Sequence, residues 1–238
     1  LVINCQLRPM PIRQYYSEEN NKLTFTRQQA SDFAKKIADD FNPLHDIAAK
    51  RFCVPGDLLF SVILTKYGIS EHMDFTFTGM VTDEVTLDFP AETKQLLLAG
   101  ENGKEYLNIS RDGRNSKNEQ VVNALINNYV AFSGHTFPHI LIPLLKKTGS
   151  MINPKRPMVM YQSMLIDLYH LDITEIELEF DDQKTTVETE GKRANVCLAF
   201  NLKSANEIIG RGEKRMLVSG LVPFDQEAID AIISDYSQ

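Results

Sequence analysis

The chain has 238 residues, with 25 Lys and Arg against 32 Asp and Glu and a formal net charge of −7. Hydrophobic residues at 43% and charged residues at 24% give the balance of a globular protein and argue against disorder. The acidity offers no broad hold on nucleic acid or anionic membranes, and no apolar run approaches the roughly 20 residues of a membrane helix.

Three scattered cysteines, Cys5, Cys53 and Cys197, suit a reducing compartment better than a disulfide scaffold, so a cytoplasmic protein is expected. Residues 1–22 contain Pro9 and Pro11 and no small-residue cleavage site. They read as a leader of uncertain status, not a secretory signal, with the fold starting near Leu23.

Thr26-Arg27-Gln28-Gln29 has the capping-box pattern, and Ala30, Phe33, Ala34 and Ile37 follow at helical spacing. Asp40-Phe41-Asn42-Pro43 ends that helix, because proline cannot continue the hydrogen-bond ladder. After Pro55-Gly56, residues Leu58 to Leu64 are apolar on every side until Tyr67-Gly68. Such a run is a helix buried all round or a buried strand, and its length from Pro55 to Tyr67 favours the helix. Strands are expected at about 73–79, 81–89, 95–99 and 105–111.

The second half repeats this order. Ser116-Lys117-Asn118-Glu119 is another capping-box pattern, followed by Val122, Leu125, Tyr129 and Phe132 at helical spacing. A second apolar helix, kinked by Pro143, is expected over 140–145. Strands follow at about 157–168, 173–181, 184–190, 193–203 and 214–222, and a short helix opens after Pro223-Phe224-Asp225. Alternation such as Ile176, Leu178 and Phe180 against Glu177 and Glu179 marks strands with one dry face, as in antiparallel sheets. The expected architecture is therefore α+β and duplicated, with one half at 23–113 and another at 114–238.

Asp40-Phe41-Asn42-Pro43-Leu44-His45 resembles the signature of (R)-specific enoyl-CoA hydratases and MaoC-like dehydratases, Asp-x-Asn-Pro-(Leu/Ile/Val)-His just after a helix. The resemblance covers roughly residues 24–89 and extends to Gly56 and to Phe77–Val85. It implies the hot-dog fold, here a double hot-dog of two antiparallel sheets each wrapping a central helix. The whole chain also resembles a gammaproteobacterial family of unknown function, which implies no activity.

The resemblance implies reversible hydration of a 2-enoyl thioester carried on CoA or an acyl carrier protein. Asp40 and His45 would hold and activate the water, and Asn42 would shape the turn by local hydrogen bonds. The Gly56 amide, at a helix N-terminus, would meet the thioester carbonyl, with glycine letting the ligand approach closely. No metal or redox cofactor is implied, and CoA enters only as part of the substrate. A serine common in the family aligns with Leu64, with Ser61 one turn earlier.

Pro55 stands where the family commonly has His, Asp57 follows with a charge that opposes an anion, and the loop from His45 to Val54 is short. These departures point to a rival reading: a catalytically silent protein binding an acyl thioester or another apolar ligand. In a thioesterase, a third reading, Asp57 is the one carboxylate placed to serve on the central helix.

Ser133-Gly134-His135-Thr136-Phe137-Pro138-His139 looks like an eroded copy of the motif. It reads as packing and helix capping, with a second ligand-facing wall as the alternative; the C-terminal half is then largely structural. Pro138 breaks the helix that a His135–His139 metal pair would need. Gly210-Arg211-Gly212 reads as a hairpin turn, and Lys146-Lys147, Lys192-Arg193 and Lys214-Arg215 as surface pairs, any one of which could touch the phosphates of CoA. A chain already doubled can be a monomer, and a homodimer stays open.

Overall fold

In the computed structural model, residues 2–3, 11–154, 156, 158–173 and 175–236 are described. Val2–Ile3 (β1) lies far from the hairpin of Ser17–Glu19 (β2) and Lys22–Thr24 (β3), whose turn residues Asn20 and Asn21 take positive φ. The segment read as a leader packs into the fold: Ile12, Tyr15 and Tyr16 are buried, and Tyr15 meets Phe33 edge-on at 5.5 Å. Arg27–Lys36 (α1) opens with the expected capping box, Gln29 N–H on Thr26 Oγ1 and Thr26 N–H on Gln29 Oε1. Asp39, at φ 54°, reverses the chain, and Asp40 N–H closes back on the Ala34 carbonyl at 2.8 Å.

Gly56–Tyr67 (α2) is a helix, with every residue from Asp57 to Leu64 buried. The strands Ile69–Phe77 (β4), Leu87–Asp88 (β5), Gln95–Gly100 (β6) and Glu105–Ser116 (β7) follow. Next come Glu119–Gly134 (α3), Thr136–His139 (α4), Leu141–Lys147 (α5) and Ser150–Met151 (β8). The chain continues through Val159–Leu168 (β9), Glu177–Glu190 (β10), Arg193–Ser204 (β11), Glu207–Ser219 (β12), Val222–Pro223 (β13) and Gln226–Tyr236 (α6).

Among the described residues the large sheet has eleven strands in the order β1-β10-β11-β12-β9-β4-β7-β6-β5-β3-β2, antiparallel throughout. The two expected sheets are thus fused, because β4 pairs with β9 and sets Phe75 opposite Met164. Two helices lie against this sheet. Phe60 of α2 packs on Phe75 of β4 at 5.2 Å, Phe132 of α3 packs on Phe200 of β11 at 5.3 Å, and Phe60 meets Tyr129 of α3 at 4.7 Å. Two central helices side by side within one antiparallel sheet make an α+β double hot-dog. β8 pairs with β13 in a small separate sheet.

Several local expectations change. The central helix of the second half is α3, not residues 140–145: α5 gives Leu141, Leu144 and Leu145 to the main core and Ile142 to a small cluster with Met151 and Ile229. Ser116 does not open a capping box. It pairs with Ile69 as the last residue of β7, and Asn118 caps α3 by accepting from Gln120 N–H at 2.9 Å. Segments 173–181 and 184–190 contribute to one bulged strand, β10. Gly210 and Gly212 sit within β12, where a Cβ on Gly212 would come 2.3 Å from Phe200 Cζ; the hairpin turn falls instead at Ala205 and Asn206, both at positive φ. No helix of the described residues is long and apolar enough to cross a membrane.

Candidate functional site

The Asp40–His45 turn is built from its own polar groups. Asn42 N–H donates to Asp40 Oδ1 at 2.9 Å, and Asn42 Oδ1 accepts from Leu44 N–H at 3.1 Å. Pro43–His45 forms a single 3-10 turn closed by His45 N–H on the Asn42 carbonyl. This coiling brings Asp40 Oδ2 to 3.5 Å from His45 Nε2. The short loop after His45 fixes the imidazole: Nδ1 lies 2.7 Å from the Cys53 carbonyl, so Nδ1 carries the proton and Nε2 faces Asp40.

His45 is only 7% exposed. Burial pulls its pKa down, but the hydrogen bond and charge of Asp40 outweigh that and raise it above the usual histidine value. Burial pushes Asp40 up, yet His45 and the Asn42 amide hold it below the usual carboxylate range. Each partner therefore favours the charged form of the other.

Asp40, Asn42 and His45 line a cavity of about 880 Å³ with Gly56 and Asp57 from the start of α2. Its walls include Leu59, Val81, Leu141 and Met216. Gly56 allows a close approach, but the neighbour is Tyr161: a Cβ there would lie 2.7 Å from Tyr161 Cδ1. Tyr161 in turn stacks on Phe77 with centroids 4.5 Å apart. Ser61 donates to the Asp57 carbonyl at 2.7 Å, within its own helix.

Beside Asp57, which the sequence offered for another chemistry, the site holds Lys214, Tyr129 and Tyr161, which no motif placed there. Asp57 is 5% exposed; its Oδ2 accepts a short hydrogen bond from Ser133, and its Oδ1 is buried without a hydrogen-bond partner among the described residues. Burial, against the opposing pull of Lys214 and Ser133, raises the Asp57 carboxyl above its usual pKa. Lys214, read as half of a surface pair, is 6% exposed; its Nζ donates to Ser133 and sits 4.6 Å from the Tyr161 ring centroid. The hydroxyls of Tyr129 and Tyr161 are also hydrogen-bonded. In β12 the buried residues alternate as Gly212, Lys214, Met216 and Val218, and this period-two phase was the available signal for Lys214.

The eroded second copy serves as both wall and packing surface. Ser133, Gly134, Thr136 and Phe137 line the cavity, while the Gly134 Cα rests against the Ala38 carbonyl. The second half, expected to be structural, thus contributes to the site. His135 and His139 stack on each other at 5.9 Å outside the lining. Among the described residues no three His, Cys, Asp or Glu side chains converge as a metal site.

Two central helices side by side within one antiparallel sheet define a hot-dog protein, here with the Asp40–His45 pair in the wall of its cavity. The chain belongs to the family described as "Protein of unknown function (DUF3581)", whose profile matches residues 10–227. No curated protein matches the chain significantly. Solved structures similar to it include an acyl-CoA thioesterase II, TesB2, from Mycobacterium marinum, at 7% identity and TM-score 0.47, covering 90% of this chain and 100% of that one. A tesB protein from Mycobacterium avium subs paratuberculosis matches at 6% identity and TM-score 0.44, covering 71% of this chain and 89% of that one. A MaoC-like dehydratase matches at 8% identity and TM-score 0.40, covering 87% and 98%.

Proposed function

We propose that the protein acts on acyl thioesters and reversibly adds water to a 2-enoyl thioester carried on CoA or an acyl carrier protein. The observation that carries this reading is the convergence of Asp40 and His45, 3.5 Å apart, in the wall of a largely apolar cavity beside the N-terminus of α2. The Asp40 carboxylate takes a proton from a water held between the pair as its oxygen adds to C3. The His45 imidazolium returns a proton to C2. Amides at the start of α2, Gly56 among them, face the growing charge on the thioester oxygen. Asn42 holds the turn, and the CoA or carrier thioester arrives as substrate without a separate cofactor.

One observation favours the rival reading of a silent acyl-thioester binder: the Tyr161 ring fills the space that Gly56 leaves open. Hydration of crotonyl-CoA and of a longer 2-enoyl-CoA, followed by loss of enoyl absorbance, separates the two. The hydratase reading expects turnover in wild type and a 10²–10⁴-fold loss in His45→Ala and Asp40→Asn. Saturable binding with no turnover would leave the binder.

A further inference from the structure

The hydratase reading leaves a buried ammonium in the same cavity without a task. Lys214 lines the cavity, and of its three N–H donors one goes to Ser133. The remainder of the group lies over the Tyr161 ring, 4.6 Å from its centroid, with Tyr129 at 6.0 Å. Its counter-charge, Asp57, is reached through the Ser133 hydroxyl, which accepts from Lys214 and donates to Asp57 Oδ2.

Holding an ammonium in a largely apolar pocket is costly unless it is paired and hydrogen-bonded, and a methionine of similar length would pack there without that cost. Among the described residues Ser133 is the hydrogen-bond acceptor that Lys214 finds, and its side chain lines the cavity. It does so where a ring, Tyr161, covers Gly56 at the helix start. A fixed positive charge in a water-poor site is the kind of group that stabilises an oxyanion.

We propose that Lys214 is a further catalytic residue, whose ammonium hydrogen-bonds the thioester carbonyl oxygen and carries the negative charge that grows there. Ser133 and Asp57 are positioning residues that hold the ammonium over Tyr161. This rests on the reading of the site as a thioester hydratase, which assigned that charge to the α2 amides alone. No covalent step is added: as water adds at C3, electron density moves onto the carbonyl oxygen against Lys214, then returns as C2 is protonated.

The test uses dimethylaminocinnamoyl-CoA, whose absorption moves to longer wavelength when its carbonyl is polarised, beside crotonyl-CoA turnover. Lys214→Met alone strands the Asp57 carboxylate and can unfold the protein, so the decisive variant is Lys214→Met with Asp57→Asn, checked for folding by circular dichroism. The expected result is a red shift in wild type and in Asp40→Asn, a smaller one in Asp57→Asn, where the positioning carboxylate is lost, and none in the double variant, which still binds the probe. Crotonyl-CoA turnover is expected to fall 10²–10³-fold in the double variant, mainly in kcat.

A red shift that persists in the double variant overturns the proposal. So does wild-type binding without any shift, or recovery of turnover in the double variant over Lys214→Met, which would make Lys214 only a counter-ion for Asp57. A shift that depends on Lys214 in a wild type without turnover supports Lys214 and removes the hydratase reading. A wild type that does not bind the probe overturns both.

Discussion

Gly134→Ala sets helix propensity against packing, and the geometry decides the sign. Alanine is favoured over glycine by about 1 kcal/mol in a helix interior, and by less at Gly134, the last residue of α3, so propensity alone predicts a slightly stabler protein. The added Cβ, however, would lie 1.5 Å from the Ala38 carbonyl oxygen and 2.7 Å from its carbon. Both are backbone atoms, so no rotamer change relieves the contact; α3 and the end of α1 must part by about 2 Å to reach ordinary van der Waals separation. Overpacking of this kind costs about 1–3 kcal/mol, more when backbone must move. With backbone oxygen 1.5 Å away the cost sits at the upper end, about 3 kcal/mol, so the clash wins with a net loss of about 2 kcal/mol, which for a chain of this size lowers Tm by roughly 4–8 °C. Because Ala38 is two residues before Asp40, the Asp40–His45 wall shifts with it. Urea and thermal unfolding give the stability, and titration with an enoyl-CoA gives the binding. A Gly134→Ala protein as stable as wild type would refute the close contact between α3 and the turn that follows α1.

The Asp40–His45 pair makes stability depend on pH in both directions. The raised His45 pKa contributes fully below the usual 6.5 and is lost as pH rises through the folded value. The lowered Asp40 pKa contributes above the usual 3.8 and is lost as pH falls through the folded value. Unfolding free energies measured across pH should show His45→Gln flattening the alkaline limb; an unchanged profile would remove the ion pair. Asp57 runs the other way: its raised pKa means the folded state keeps the proton longer, so stability falls as pH climbs above 3.8 towards the folded value, and Asp57→Asn should abolish that part. Burial pushes the Cys53 thiol up to about 12 from an ordinary 9.0. Native Cys53 should thus alkylate with iodoacetamide at pH 8 about 10³-fold more slowly than in the unfolded chain, as read by mass spectrometry, and rapid native labelling would contradict that burial.

Most of the helices and strands were legible because each has a one-dimensional signature. Thr26 and Gln29 cap one helix, the unbroken apolar run after Gly56 demands another buried on all sides, and alternation from Val196 to Leu202 requires a strand with a dry face. The Asp40–His45 turn was legible for the same reason: its hydrogen bonds run between residues at most a few positions apart. Ser116 misled because a local capping pattern lost to ladder pairing with Ile69, and residues 140–145 misled because apolarity does not say which of two buried helices the sheet wraps. Lys214 looked like surface because charge outweighed its place in the β12 alternation.

By itself, then, the sequence determined the duplicated α+β plan, the buried helix α2 and the local turn that joins Asp40 to His45, all of them consequences of spacing along the chain. Tertiary structure alone decided that β4 and β9 fuse the sheets, that α3 is the second central helix, and that Asp57, Ser133 and Lys214 meet in one cavity. Those contacts join residues 76 and 81 positions apart, and no periodicity within a segment reports which distant segment will pack against it. The polar floor of the site arises only when two helices and a strand bury their inward faces together.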